Sequence, residues 1–209
     1  MKLQFKANKQ YQYYRSFLRL KGILFPLYFL LFTSSAKALP GQRPDAVAAW
    51  LRGHPTLSRG IGTNLAVTIS ETPAQKFNFQ ASVLPPGRII YRKRPGTIST
   101  ERLSLTDRIR GVTFNRLEEY LRIIYGPLIY RDYTQARVIY DYPNPSLLYQ
   151  GQTQNRSLLV AQQGQLLAGE RYGYWIEVTE SGNGKAFNGQ VTIFRKDDLE
   201  KLEAELRDR

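Results

Sequence analysis

Residues 113–125 (TFNRLEEYLRIIY) set the strongest limit on what this chain can fold into. Phe114, Leu117, Leu121 and Ile124 recur at three- and four-residue spacing, which places them on one face of an amphipathic helix. Thr113 or Asn115 can cap its start, Glu118 and Glu119 suit the positive end of its dipole, and Gly126-Pro127 stops it. Around this helix the chain breaks into short alternating segments separated by turn residues. They predict strands at 64–70, 76–84, 88–93, 136–142, 158–163, 173–180 and 190–195, with 98–110 also extended and Ile98, Leu103, Leu105 and Ile109 inward. Pro85-Pro86-Gly87 and the glycine-rich residues 181–189 are turns. Two shorter helices flank this pattern. Residues 44–53 start on Pro44 and place Val47, Trp50 and Leu51 on one face. Residues 197–207 place Leu199, Leu202 and Leu206 inward, with Asp197 and Glu200 as a capping box. Strands and helices do not alternate as β-α units, and no repeat is present. The expected class is α+β, a mostly antiparallel sheet with about three helices.

The first 38 residues stand outside that pattern. Lys2, Lys6, Lys9, Arg15, Arg19 and Lys21 precede an apolar run at 23–32 (ILFPLYFLLF), and no acid interrupts them. Ala36 and Ala38 then give an A-x-A cleavage site before Leu39. This order is that of a cleavable secretory signal peptide, with residues 39–209 as a single exported domain. The run is about half of the roughly 20 residues a membrane span needs, and Pro26 lies inside it. A leader that stayed uncleaved would instead anchor the chain and make it a membrane-bound scaffold.

Removing the leader changes the electrostatics. The chain has 30 basic and 17 acidic residues, a net charge of +13. Seven bases and no acids belong to residues 1–38, which leaves 23 against 17 and a net +6 in the exported part. A nucleic-acid partner is therefore not expected. The absence of cysteine excludes thiolate metal sites, thiol redox chemistry and lipoprotein anchoring. A domain of this size buries enough core to fold without disulfides.

No motif for catalysis, metal or nucleotide stands out, and no cofactor is expected. Gly184-Lys185 imitates the end of a phosphate-binding loop, but Thr179 replaces its first glycine and Ala186 its Ser or Thr. His54 is the sole histidine. It lies at a helix end, without a presented serine nucleophile and without enough nitrogen or sulfur ligands for zinc. Acid/base carboxylates leave no spacing rule, so Asp132, Asp141, Glu170 and Glu177 stay open as a pair for a hydrolase of cell-wall or exported polysaccharide.

Two features suggest binding instead. From position 88 to 110 the chain holds Arg88, Arg92, Lys93, Arg94, Arg102, Arg108 and Arg110 against Glu101 and Asp107. On a strand, Arg88, Arg92 and Arg94 share one face. Such a basic stripe suits anionic lipid, acidic polysaccharide or an acidic protein, or else blunts a sheet edge against aggregation. Tyrosines crowd the following stretch, with Tyr130, Tyr133, Tyr140, Tyr142 and Tyr149 as a second binding candidate. Tyrosine combines a large apolar face with a polar tip and is enriched in recognition surfaces, although it also favours strands.

The leader, the Leu39-Pro-Gly-Gln start, residues 46–55 (AVAAWLRGHP) and residues 77–88 (FNFQASVLPPGR) together resemble uncharacterised exported proteins of cyanobacteria. That resemblance implies the periplasm or the thylakoid lumen and no particular activity. Gly111-Val-Thr with the helix closed by Gly126-Pro127 is similar to the G-M-T…L-G-x-P helix of small envelope assembly proteins and the β-lactamase-inhibitor type of fold. It implies a module that binds proteins. The function expected is thus an exported, non-catalytic binding or assembly module that contacts an envelope protein or an anionic surface.

Overall fold

The structure, a computed structural model, describes residues 39–60, 62, 65–88, 96–143, 161–181 and 184–209. The leader, the expected strand at 88–93 beyond Arg88, and the start of that at 158–163 lie outside these residues. Residues Ala36–Arg209 form one compact unit.

Seven strands are described: β1 (Ala66–Thr72), β2 (Gln75–Ser82), β3 (Thr100–Asp107), β4 (Arg137–Tyr142), β5 (Gln162–Ala168), β6 (Tyr172–Glu180) and β7 (Ala186–Arg195). With them come four α-helices: α1 (Pro44–Gly53), α2 (Phe114–Tyr125), α3 (Pro127–Thr134) and α4 (Leu199–Arg207). The strands form one sheet in the order β1-β2-β3-β7-β6-β5-β4, and every neighbouring pair is antiparallel. The fold is α+β, as the sequence predicts. Two meanders build it. β1 to β3 turn back on one another, α2 and α3 carry the chain to the far edge, and β4 to β7 return until β7 closes on β3.

Helix α2 follows its sequence signal. Thr113 caps it by accepting the Arg116 amide at 3.3 Å, and Leu117, Leu121 and Ile124 are buried. The Gly126-Pro127 stop has a second role that periodicity does not reveal. Gly126 adopts φ +75°, and Pro127 then opens α3 at the first helical position, where a missing N–H costs nothing. Three other expectations need correction. Ile109 is 64% exposed, because β3 ends at Asp107 and that carboxylate bonds the amides of Ile109 and Arg110, turning the chain outward. The Asp197/Glu200 capping box does not form. Residues Lys196–Asp198 are a 3-10 turn, Asp198 becomes the N-cap, and Asp197 pairs with Arg195. Strand β5 runs to Ala168, further than its glutamine-rich sequence suggests, since cross-strand partners on β4 and β6 supply what local propensity does not.

The sheet has two unlike faces. One packs against α1, α2 and α3 through Val67, Phe79, Leu103, Leu105, Tyr174, Ile176, Val191 and Ile193. His54 ties two of these helices together. Its Nδ1 accepts the amides of Thr56 and Leu57 at 3.2 Å each, so its Nε2 carries the proton and donates to the Ile124 carbonyl at 3.1 Å. The other face carries a smaller cluster in which α4 places Leu202 and Leu206 on Tyr140, Tyr142, Leu166, Trp175 and Phe194. Helix α4 lies over the β4–β7 half. On the β1–β3 half of that face the strands present Thr68, Asn78, Gln80, Arg102, Ser104 and Thr106, and among the described residues no helix belongs to a core there.

Candidate functional site

Strand register assembles the candidate site on the α4 side of the sheet. Successive hydrogen-bonded partners define a row that crosses it: Gln80, Arg102, Thr192, Trp175, Leu166 and Tyr140. The adjacent row on the same face runs Thr68, Asn78, Ser104, Gln190, Glu177, Gly164 and Tyr142. Both rows pass from polar residues on β1–β3 to aromatic residues under α4. Where they change character, a cleft of about 380 Å³ opens. That volume falls within the range of small-molecule sites, roughly 300–1,000 Å³.

Trp175, Leu202 and Leu206 give the cleft an apolar wall, and Arg88, Arg102 and Arg209 give it positive charge. Two of these arginines are held from behind. Arg209 donates to Glu177 Oε2 at 3.0 Å and lies 5.2 Å from the Trp175 ring and 5.7 Å from the Tyr142 ring. The backbone of Arg88 is clamped to α4, its amide on Glu205 Oε2 and its carbonyl on Lys201 Nζ, each at 2.8 Å. Lys201 and Glu205 pair at 2.9 Å, so that clamp is neutral within itself. Arg102 differs from both. It is half-buried, and among the described residues no carboxylate pairs with it. A second concavity of about 160 Å³, lined by Gln80, Ser82 and Leu84, shares Arg102 with the first.

Behind the cleft lies a closed hydrogen-bond chain. Trp175 Nε1 donates to the Tyr142 hydroxyl at 2.7 Å, and that hydroxyl donates to Glu177 Oε2 at 2.5 Å. Gln190 reaches the other Glu177 oxygen at 3.3 Å. Burial, then the Glu177 charge and hydrogen bond, push the Tyr142 phenol far above its usual range, so it stays protonated and donating. Thr192 stands between Arg102 and Trp175 in its row. Its hydroxyl is fully buried and has no hydrogen-bond partner among the described residues.

The basic stripe is divided. Arg88 and Arg102 meet at the cleft, while Arg108 and Arg110 are exposed in the turn beyond the other end of β3. At about 3.3 Å per strand residue, roughly 20 Å separates Arg102 from Arg108. Arg92, Lys93 and Arg94 lie outside the described residues. The tyrosine group does not form one surface either. Tyr130 and Tyr133 pack with the helices on one face of the sheet, Tyr140 and Tyr142 with α4 on the other, and Tyr149 lies outside the described residues. The cause is the path of the chain, which crosses from α3 into edge strand β4 between the two pairs. Arg209, Trp175, Gln190 and Thr192 were not among the sequence candidates. Register brings the three strand residues to Arg102, and the contact with Glu177 brings Arg209.

The carboxylates considered for acid/base chemistry are distributed as follows. Asp132 is on the helix face, accepting the Tyr174 hydroxyl at 2.6 Å and the amides of Glu170 and Arg171 at 2.9 and 3.2 Å. Asp141, by alternation, faces the same side and is exposed, as is Glu170 in the β5–β6 turn. Glu177 lies on the opposite side, tied to Tyr142 and Arg209. Asp107 is held by the Ile109 and Arg110 amides, Arg116 and Gln75; burial raises its pKa, but these donors outweigh burial and bring it to about 2. Among the described residues, no three His, Cys, Asp or Glu side chains are grouped to hold a metal ion, and no helix is long and apolar enough to cross a membrane.

No family model matches this chain, nor does any curated protein or solved structure.

Proposed function

We propose that the chain is an exported, non-catalytic binding module that takes an anionic group into the cleft between β3, β7 and α4. The group belongs to an envelope protein or an anionic envelope surface in the periplasm or thylakoid lumen, reached after the leader is removed. The observation that carries this proposal is Arg102. A half-buried guanidinium that pairs with no carboxylate among the described residues has given up part of its hydration without an ion pair in return, which favours an incoming anion. Arg88 and Arg209 reinforce the positive field; α4 fixes the Arg88 backbone, and Glu177 holds the Arg209 guanidinium. Of the described carboxylates, Glu177 lies on the opposite face from Asp132 and Asp141. Asp132 and Glu170 share a concavity of about 280 Å³, but Asp132 is engaged there by the Tyr174 hydroxyl and by the Glu170 and Arg171 amides, which favours a structural role and hence binding over hydrolysis.

Co-sedimentation with isolated envelopes over a range of ionic strength tests this. The wild-type chain and Arg52→Gln, an exposed charge-matched control on α1, should sediment at low salt and be released at high salt. Arg102→Gln should stay in the supernatant throughout. Equal loss from both variants, or none from either, would refute a specific role for the cleft. Mass spectrometry of the amino terminus recovered from the same fractions reports whether the chain begins at Leu39.

A further inference from the structure

Resting on that proposal, we infer that the anion is the carboxylate of an acidic polysaccharide, a polyuronate whose sugar hydroxyls lie on the open polar half of the sheet. Three observations separate this from the other anionic surfaces. The first is the composition of the face beside Arg102. Gln80 adjoins it in the same row, and Asn78, Ser104 and Gln190 follow in the next. Amide and hydroxyl side chains both donate and accept, as sugar hydroxyls do. These residues are only partly spoken for: Asn78 accepts from Thr68, and Gln190 donates to Glu177.

The second is what the face lacks. A protein interface is centred on buried apolar or aromatic anchors, and a bilayer site needs apolar residues that enter the interface. In these two rows the β1–β3 strands present no aromatic side chain and no apolar one larger than Ala66. The third is the charge count. Among the described residues Arg102 is the single cation of these two rows, Lys76 follows on β2 by alternation, and Arg88 and Arg209 stand at the rim. A bidentate contact to a sugar carboxylate requires one guanidinium, which Arg102 supplies within the rows.

The test is binding of the full-length chain, lacking only its leader, to four probes at one ionic strength: polygalacturonate, its methyl ester, polyglutamate and phosphatidylglycerol vesicles. Polygalacturonate should bind and its ester should not. Arg102→Gln should weaken polygalacturonate binding about tenfold or more, as loss of a charge-assisted bidentate contact does. Gln80→Ala, an exposed site whose loss leaves the core intact, should weaken polygalacturonate several-fold and leave any residual polyglutamate binding unchanged. Arg102-dependent binding of polyglutamate or of vesicles, but not of polygalacturonate, would overturn the polysaccharide and keep the anion site. A vesicle result would direct attention to Val83 and Leu84, exposed just beyond β2. Binding of none of the four would overturn both proposals.

Discussion

The phenol of Tyr142 reaches Glu177 at 2.5 Å by lying across Gly164, the residue that separates them in the β4-β5-β6 ladder. It receives the Trp175 indole N–H at the same time, so a single hydroxyl satisfies two buried partners. Tyr142→Phe should leave that indole N–H buried without an acceptor. The expected loss is about 1–3 kcal/mol in chemical denaturation, with the change reporting an unsatisfied donor and not a cavity. Trp175 fluorescence should shift at the same time, and a Trp50→Phe background isolates it, since the chain has two tryptophans.

Glu101 sets a pH dependence. It is fully buried beneath the helices, Tyr125 donates to its Oε2 at 2.6 Å, and its Oε1 has no partner among the described residues. Burial raises its pKa from 4.5 to about 8, while the Tyr125 bond opposes that rise. The folded state therefore holds a proton that the unfolded chain has released above pH 4.5. Stability should be highest below that value, fall as pH rises towards 8, and level off beyond it, a span on the order of 5 kcal/mol at most. Denaturant titrations from pH 5 to pH 9 check the slope, and Glu101→Gln should abolish it.

His54 acts in the opposite direction. Burial lowers its pKa below 6.5, and the neutral ring is the form that accepts two amides on Nδ1. The unfolded chain thus takes up a proton first on acidification. The His54 contribution should be complete above pH 6.5 and decline as pH falls through the folded-state value. His54→Ala should remove that decline and cost about 2–3 kcal/mol at neutral pH, because two amides and a carbonyl lose their partner. Histidine NMR titration gives the folded pKa directly, and a value above 6.5 would reverse the sign.

The sequence carried the local structure well and the site poorly, for physical reasons visible at particular residues. The spacing of Leu117, Leu121 and Ile124 and the cap at Thr113 are local properties, and both are realised in α2. Leu103 and Leu105 are buried because alternation decides which face they take, whereas Ile98, ahead of β3, is buried where it pairs with Gly41 and Gln42. The hidden parts depend on pairing. Gln162–Ala168 is a strand because β4 and β6 enclose it, and Pro127 starts a helix only because Gly126 turns the chain first. The site is hidden more deeply still. Gln80, Arg102, Thr192 and Trp175 come from four strands spread over 113 positions of sequence numbering, between 80 and 192, and only the return of β7 to β3 joins them.

Glycine substitutions separate sites where space matters from sites where it does not. A Cβ on Gly164 would collide with the Tyr142 hydroxyl and ring, and would stand 2.9 Å from the Ile176 carbonyl oxygen. The backbone cannot yield, so Tyr142 must lift off the strand and release both Trp175 and Glu177. Gly164→Ala should therefore cost about 1–3 kcal/mol from overpacking and lose the Tyr142 hydrogen bonds as well. Gly53, the last residue of α1, is the contrast: nothing lies within 4 Å of its added Cβ, and its φ is in the ordinary range. Gly53→Ala should raise stability by about 0.4–1 kcal/mol, by restricting the unfolded chain. Thermal and denaturant unfolding of the two variants side by side gives the answer. If Gly164→Ala matched Gly53→Ala, Tyr142 would have room to move, and the clamp on Arg209 would not depend on the glycine beneath it.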